Sequence, residues 1–205
     1  MIKLQLPISK EAISKLKVGD IVKITGTMVT ARDAAHKYLI EHFIDKDPLP
    51  KEMDLYKKIS KVLGGGMIYH CGPVVVKENG GYRFTAAGPT TSIREEPYEA
   101  KVIGKFGVRG VIGKGGMGDQ TLAGCQEHKA VYLHNVGGAA SLIAKTIVEV
   151  EDVYLKDELG VPEAFWVIRV EDFDAVVTMD SHGQSLHKTV AGASQKAFDD
   201  LLKAI

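Results

Sequence analysis

The stretch Val18–Lys37, VGDIVKITGTMVTARDAAHK, is the part of the chain that indicates the fold most directly. Apolar and polar side chains alternate from Asp20 to Thr27, which is typical of a β-strand. Thr30 then stands where it would cap a helix that runs from Ala31 through His42. A strand that leads into a helix predicts the α/β class.

In the rest of the chain, apolar runs separated by turn residues predict further strands and a hairpin. Asn79-Gly80 lies between two such runs, and both residues tolerate the positive φ of a tight hairpin turn. The predicted strands cover residues 67–70, 73–76, 82–86, 108–112, 129–134, 165–170 and 175–179, and an amphipathic helix covers 190–202. We therefore predict one α/β domain with a mixed sheet over residues 1–205.

Composition excludes several classes of protein. The chain has 205 residues, 45% hydrophobic and 25% charged, as in a soluble globular domain with a real core. Lys plus Arg and Asp plus Glu both number 26, so nothing predicts bulk attraction to nucleic acid or to a membrane surface. The N-terminus does not resemble a signal peptide, and no apolar run approaches the ~20 residues of a membrane span. We expect a cytoplasmic protein.

The two cysteines, Cys71 and Cys125, are expected to be reduced thiols. A cuboidal iron–sulfur cluster takes three or four cysteine ligands, so this pair does not build one alone. The seven histidines form no HxH or HxxxH pattern with a third ligand nearby, and we predict structural or surface roles and no metal site.

Three segments place a basic residue beside small or turn-forming residues. Arg32 follows the first strand, and Arg94 comes four residues after Thr90, on the same face if a helix begins there. Lys114 opens the glycine-rich run 113–118, whose backbone would approach a ligand closely. Each of the two arginine segments alone is also explained by a surface arginine beside a capping threonine. Together they suit a small dianion with two carboxylates.

The run 113–118 also matches G-x-G-x-x-G, so nucleotide binding is an alternative. Against it, the next strand ends in His134-Asn135, without an acidic residue for a ribose, and the helix between is expected to be very short. A P-loop fails because Gly107 is one residue too early, and because Gly115 stands where a magnesium-binding Ser or Thr belongs.

Five blocks in order carry a resemblance to a known family: VGDIVKITGTMVTARDAAHK, IYHCGPVV, AAGPTTSIREEPY, VIGKGGMG and ELGVPEAFWVIRVEDFDAVVTMDSHG. They resemble the β subunit of class I fumarases and L-tartrate dehydratases, which is equivalent to the C-terminal domain of single-chain class I fumarases. The blocks lie between Leu16 and Gly183, nearly the whole chain.

The resemblance implies a swivelling β/β/α domain and reversible hydration of a dicarboxylate double bond, fumarate to L-malate. It implies a 4Fe-4S cluster bound by a separate α subunit, whose open iron acts as a Lewis acid, and hence a hetero-oligomer. By motif, Arg32, Arg94 and Lys114 would bind the substrate carboxylates, and Thr90 would be the base. Because a threonine hydroxyl is a poor base, Arg94 and Lys114 would have to stabilise its alkoxide.

One departure bears on the substrate. Ser92-Ile93 follows the two threonines, where the single-chain fumarases carry Ala-Gly. The serine form resembles two-subunit enzymes, including tartrate dehydratases, and Ser92 is a candidate to read the hydroxyls that distinguish tartrate from fumarate. Fumarate is preferred here and tartrate is the alternative. A small-anion module without catalysis is a more remote one.

Overall fold

A computed structural model describes residues 1–78 and 80–203 of the chain. The architecture is α/β with a mixed sheet, as the sequence predicts. The strands are β1 (Ile2–Gln5), β2 (Ile21–Thr30), β3 (Met67–Tyr69), β4 (Val74–Glu78), β5 (Gly81–Ala86), β6 (Gly110–Gly113), β7 (Val131–His134), β8 (Ile147–Tyr154) and β9 (Phe165–Met179). The helices are α1 (Lys10–Ile13), α2 (Asp33–Leu39), α3 (Met53–Leu63), α4 (Glu96–Phe106), α5 (Asp119–His128), α6 (Ala140–Ala144), α7 (Lys156–Leu159) and α8 (Leu186–Lys203).

The main sheet has the strand order β1-β2-β3-β6-β7-β9-β8, and β2 also pairs with β9. The pairings therefore run in a closed circuit, β2-β3-β6-β7-β9 and back to β2. Strands β1, β2, β3, β6 and β7 are parallel to their neighbours in this group, whereas β9 is antiparallel to β2, β7 and β8. The carboxyl ends of β2, β3, β6 and β7 consequently meet at one edge, which is where ligands bind in many α/β proteins.

Strand β9 corrects the prediction of two late strands at 165–170 and 175–179. The chain forms one strand, Phe165–Met179, which pairs with β2 on one side and β8 on the other. Asp172 adopts a φ of 51°, so the backbone bends there while the ladder continues. Pairing on both sides along most of its length overrides the polar interruption that suggested a break.

The first helix after β2 also differs from the prediction. Thr30 does not cap it, because Thr30 is the last residue of β2 and its hydroxyl donates to the Ala164 carbonyl and accepts from the Trp166 N–H. Arg32 occupies the N-cap position and Asp33 is the first helical residue. A π-helical turn, Ile40–Ile44, then extends α2 beyond its predicted end. Helix α3 and strand β8 were not predicted.

The hairpin of β4 and β5 is confirmed as an antiparallel pair. Of its predicted turn, Asn79 lies outside the described residues and Gly80 has a φ of 79°. Phe84 of the hairpin and the half-buried Tyr82 pack edge-on against fully buried Trp166, with ring centroids 5.7 and 5.0 Å apart. Burying one large apolar side chain stabilises a fold by about 1.5–3 kcal/mol, so this contact anchors the hairpin to the sheet.

Helix α8 begins at Leu186, earlier than predicted, and has no buried side chain. Its exposed apolar residues are Leu186, Val190, Phe198, Leu201 and Leu202. Among the described residues, no helix has both the length and the apolar character that crossing a bilayer requires.

Candidate functional site

The four candidate site residues predicted from the sequence lie at the carboxyl edge of the parallel strands. Arg32 follows β2 and Lys114 follows β6. Thr90 and Arg94 lie on the segment between β5 and α4, which crosses the same edge and forms a bridge between Thr91 and Lys114. Residues distant in sequence thus reach one place because their strands end side by side.

The two arginines meet at one carboxylate. Arg94 Nε lies 2.9 Å from Asp33 Oδ1, and Arg32 Nη2 lies 4.0 Å from Asp33 Oδ2 and 3.4 Å from Glu163 Oε1. Gly72 permits this packing, because a Cβ there would overlap Arg32 Nη1. The Arg94 side chain is 55% exposed, so its terminal nitrogens can reach a ligand from solvent. Paired guanidinium groups of this kind bind carboxylates in bidentate fashion.

Thr90 and Lys114 are joined through the backbone. The Thr90 N–H donates to the His70 carbonyl at 2.7 Å, and the Lys114 N–H donates to the Thr90 carbonyl at 3.2 Å. The expectation that Thr90 and Arg94 share a helix face is wrong, because a 3-10 helix begins only at Ser92. Thr90 is half-buried and lies between two bridge residues, Pro89, which pairs with Cys71, and Thr91, which pairs with Lys114.

The glycine-rich run does not form a nucleotide site. The expectation of a very short following helix is wrong, since α5 has 10 residues. The start of that helix is occupied by Glu96, whose carboxylate accepts from the N–H groups of Gly118, Gln120 and Thr121 and from the Thr121 hydroxyl, at 2.7–3.2 Å. A bound phosphate would need these same N–H groups, and the Glu96 carboxylate already accepts their hydrogen bonds. The nucleotide-binding alternative is therefore wrong.

Ser92 does not face a ligand. Its side chain is fully buried, and its hydroxyl lies 2.9 Å from His70 Nδ1 and 2.9 Å from the Tyr132 hydroxyl, which donates to it. A Cβ at Gly113 would overlap Ser92 Oγ, so the glycine allows Ser92 to approach β6. The idea that Ser92 reads substrate hydroxyls is therefore wrong.

A buried cluster beneath the edge was missed from the sequence. His36 of α2, His70 after β3 and Glu99 of α4 are all fully buried, and Glu99 Oε2 lies 3.0 Å from His36 Nε2 and 2.9 Å from His70 Nε2. Their ligand atoms lie within 4.8 Å of one another. Because both imidazole nitrogens lie at hydrogen-bonding distance from the same Glu99 oxygen, protons shared between these nitrogens and that oxygen account for the arrangement. These three residues lie far apart in the sequence, so no motif spacing indicated the cluster.

Two further groups belong to this region. Glu95 is fully buried, and neither of its oxygens has a hydrogen-bond partner among the described residues. Burial raises the pKa of Glu95 to about 7, although the charge of His36 opposes the shift. His134 ends β7 opposite Gly113 of β6, and its Nδ1 is buried and unpaired within the described part of the chain.

The cysteines do not fit cluster ligation by this chain. Cys71 and Cys125 are free, buried, and packed in different apolar clusters of the core. Burial raises the pKa of the Cys71 thiol to about 12 and raises that of Cys125 further. Metal ligation needs the thiolate, which such surroundings disfavour.

Comparison with known proteins identifies the family. The model of the family described as "Fumarase C-terminus" matches residues 1–190. The chain belongs to the fumarase C-terminal family. The mixed α/β fold of the chain is consistent with membership of this family.

Two relatives within the family carry different names. "Putative fumarate hydratase class I" of Geobacillus stearothermophilus is 52% identical over 195 residues, which are 95% of this chain and 35% of that protein. "L(+)-tartrate dehydratase subunit beta" of Escherichia coli is 41% identical over 184 residues, which are 89% of this chain and 85% of that subunit. The chain thus spans about a third of the first relative and most of the second.

Proposed function

We propose that this chain is the β subunit of an iron–sulfur hydro-lyase that hydrates fumarate to L-malate reversibly in the cytoplasm. An α subunit would carry the 4Fe-4S cluster, and only the hetero-oligomer would be active. The observation that carries the proposal is the gathering of Arg32, Arg94, Lys114 and Thr90 at one edge, in a member of the fumarase C-terminal family.

The three cations suit the two carboxylates of the substrate. Arg32 and Arg94 already hold a carboxylate between them, that of Asp33, at 4.0 and 2.9 Å. The Lys114 ammonium lies beside the exposed Gly137, where a Cβ would be 3.8 Å from Nζ. In a dicarboxylate bound here, one carboxylate would contact the guanidinium groups of Arg32 and Arg94, and the Lys114 ammonium would be available to the other.

Thr90 is the proposed base at the carbon. Its hydroxyl would lose a proton to form an alkoxide only beside positive charge, and the candidates to supply that charge are Arg94, on the same segment, and Lys114, whose backbone is bonded to that of Thr90. The hydrogen bond from Thr90 N–H to the His70 carbonyl fixes the backbone from which this side chain extends.

The need for a partner is supported by the openness of this edge. Clefts of about 410 and 520 Å³ lie elsewhere on the chain, and the four site residues line neither of them. An exposed edge admits water, whereas hydration chemistry requires controlled water access, so a second protein would have to cover it. The E. coli relative is named as a beta subunit, and this chain matches 85% of its length.

Tartrate dehydration is the second candidate, with oxaloacetate as the product. The observation in its favour is the coverage: the chain corresponds to most of a separately encoded tartrate dehydratase subunit, but to 35% of the fumarate hydratase relative. The higher identity, 52% against 41%, favours fumarate.

The test is a steady-state assay of the chain co-expressed with its α-type partner and purified anaerobically, on fumarate, L-malate and the tartrate isomers. We expect Thr90→Ala to lower kcat about 10²–10⁴-fold, as expected for loss of a general base. Thr91→Ala is the matched control, because Thr91 is the exposed neighbour. Equal activity of Thr90→Ala and Thr91→Ala would refute the assigned base.

Arg94→Ala tests the clamp in the same assay. Loss of a charge-assisted hydrogen bond of about 1.5–3 kcal/mol corresponds to an increase in KM of roughly 10–100-fold. Arg83→Ala is the matched control, since Arg83 is an exposed arginine of the hairpin that pairs with Glu78. A complex that is inactive on every substrate would overturn the proposed function as a whole.

A further inference from the structure

Three buried hydrogen bonds and one buried ion pair run in sequence beneath the site residues. The Tyr132 hydroxyl donates to Ser92 Oγ at 2.9 Å, and Ser92 Oγ lies 2.9 Å from His70 Nδ1. His70 Nε2 lies 2.9 Å from Glu99 Oε2, which His36 Nε2 also approaches at 3.0 Å. All of these side chains are fully buried, so their protons cannot be exchanged for hydrogen bonds to bulk water.

The partners fix the position of each proton. His36 Nδ1 lies 2.9 Å from the Arg32 carbonyl, which only accepts, and His36 Nε2 faces a carboxylate. His36 must therefore be protonated on both nitrogens. His70 donates from Nε2 to Glu99 and accepts from the Ser92 hydroxyl at Nδ1, so it is the neutral Nε2–H tautomer.

The electrostatics agree with this assignment. Burial disfavours the charged form of His36, but the Glu99 carboxylate outweighs it and raises the pKa of His36 to about 9. Burial would raise the pKa of Glu99, but His36 and the two imidazole hydrogen bonds lower it to about 2. Burial lowers the pKa of His70 below its ordinary value.

The ends of this series of contacts are attached to the site residues themselves. The Arg32 carbonyl accepts from the His36 backbone N–H at 2.8 Å and lies 2.9 Å from His36 Nδ1. The His70 carbonyl accepts the Thr90 N–H at 2.7 Å, and the Ser92 N–H donates to the Lys114 carbonyl at 2.9 Å. One carboxylate, Glu99, therefore connects the segments that carry every residue of the proposed clamp.

We propose that Glu99, acting through His36 and His70, is a positioning residue that fixes the spacing between Arg32 and the Thr90 segment. This inference rests on the proposed function, and it extends it to buried residues that do not touch substrate. In Glu99→Gln the charge that opposes burial most strongly is lost, so the pKa of His36 falls and the imidazole gives up one proton at lower pH. The contact that orders Arg32 against Thr90 is then weakened.

The first test does not depend on activity. In the full chain, ¹⁵N NMR of the imidazoles should show His36 protonated on both nitrogens at pH 7.5 and His70 protonated on Nε2 alone. The charged groups that raise the pKa of His36 are Glu99 and Glu95, and the rings of His70 and Tyr98 pack against its imidazole. A neutral His36 at that pH, or one tightly bound zinc per chain in place of the Nε2 protons, would overturn the inference.

The second test uses the complex with the α-type partner. We expect Glu99→Gln to lower kcat/KM about 100-fold, the effect of a misplacement of about 1 Å, with changes in both KM and kcat. We expect the KM of the wild type to rise above about pH 9, where His36 loses its second proton, and this rise to move to lower pH in the variant. Glu52→Gln is the matched control, because Glu52 holds another imidazole, His42, at 2.7 Å outside the site.

The outcomes separate the two proposals. If the wild-type complex is inactive on fumarate and tartrate, the proposed function fails while the NMR result still decides whether the network exists. If the wild type is active and Glu99→Gln keeps its KM, kcat and pH profile, the positioning role is overturned. Should Glu99→Gln not fold, His36→Gln decides: it removes the side chain that joins Glu99 to the Arg32 segment, and an unchanged kcat/KM in a folded His36→Gln would overturn the role.

Discussion

Gly113→Ala tests the packing that brings the 3-10 turn against β6. A Cβ at Gly113 would overlap Ser92 Oγ and would lie 3.2 Å from Ser92 Cβ and 3.3 Å from His70 Nδ1. Ser92 would have to move, and its two buried hydrogen bonds, both 2.9 Å, would be broken. Each buried group left without a partner costs about 1–3 kcal/mol, so the free energy of unfolding should fall by roughly 4 kcal/mol.

Urea and thermal unfolding of the isolated chain measure this loss. A domain of this size loses about 2–4 °C of Tm per kcal/mol, so the midpoint should fall by roughly 8–16 °C. Adding Ser92→Gly removes the atoms that clash, and the double variant should be nearly as stable as Ser92→Gly alone. Gly192→Ala is the control, because a Cβ there meets nothing within 4 Å and α8 is exposed. A Gly113→Ala loss under about 1 kcal/mol, or simple additivity with Ser92→Gly, would refute the reasoning.

Three further predictions concern the site and its supports. Arg94→Lys should keep the positive charge but lose the two parallel N–H donors of the guanidinium group. We expect it to raise KM about tenfold in the assay of the complex, less than Arg94→Ala does. Equal KM values for the Lys and Ala variants would contradict this. Glu96→Gln should lower the free energy of unfolding, measured in urea, by about 1–3 kcal/mol, because the carboxylate accepts four hydrogen bonds at the start of α5. A variant as stable as the wild type would show that water replaces these hydrogen bonds. The raised pKa of His36 means that its stabilising effect is complete below the ordinary value of about 6.5 and is lost as the pH rises through about 9. Wild-type stability should therefore decline between pH 6 and 9.5, and His36→Gln should remove much of that decline; an unchanged slope would contradict it.

Local patterns predicted those parts of the fold that local forces decide. The alternation from Asp20 to Thr27 and the apolar runs of β3, β6 and β7 correspond to observed strands, and the hairpin pairs as expected. Thr30 was assigned wrongly, because a threonine before a helix is a good cap only when its backbone is not already paired. Here the β2–β3 ladder includes Thr30, paired with Tyr69, and tertiary pairing prevails over local capping.

The basic residues of the candidate site were recognisable because each stands beside a strand end or a sharp turn. Their neighbours were not, since hydrogen bonding among His36, His70 and Glu99 depends on how α2, β3 and α4 pack together. The same limit applies to Ser92, whose hydroxyl is directed inward by the space that Gly113 leaves. Sequence spacing indicates which residues share a segment, whereas the direction of a side chain is decided by packing.

The inward direction of Ser92 changes where substrate choice must originate. If the hydroxyl of Ser92 holds His70, it distinguishes tartrate from fumarate only indirectly, through the placement of Thr90. The next residue, Ile93, is 49% exposed and lies between Thr90 and Arg94 on the open edge, so it can contact a ligand directly. An apolar side chain there favours a substrate without extra hydroxyls, because burying an unpaired hydroxyl against it carries a cost. Ile93→Ser should therefore raise the ratio of tartrate to fumarate activity in the complex, whereas Ser92→Ala should lower both activities together. A ratio unchanged by Ile93→Ser would assign the choice to residues outside this segment, such as those of the proposed α subunit.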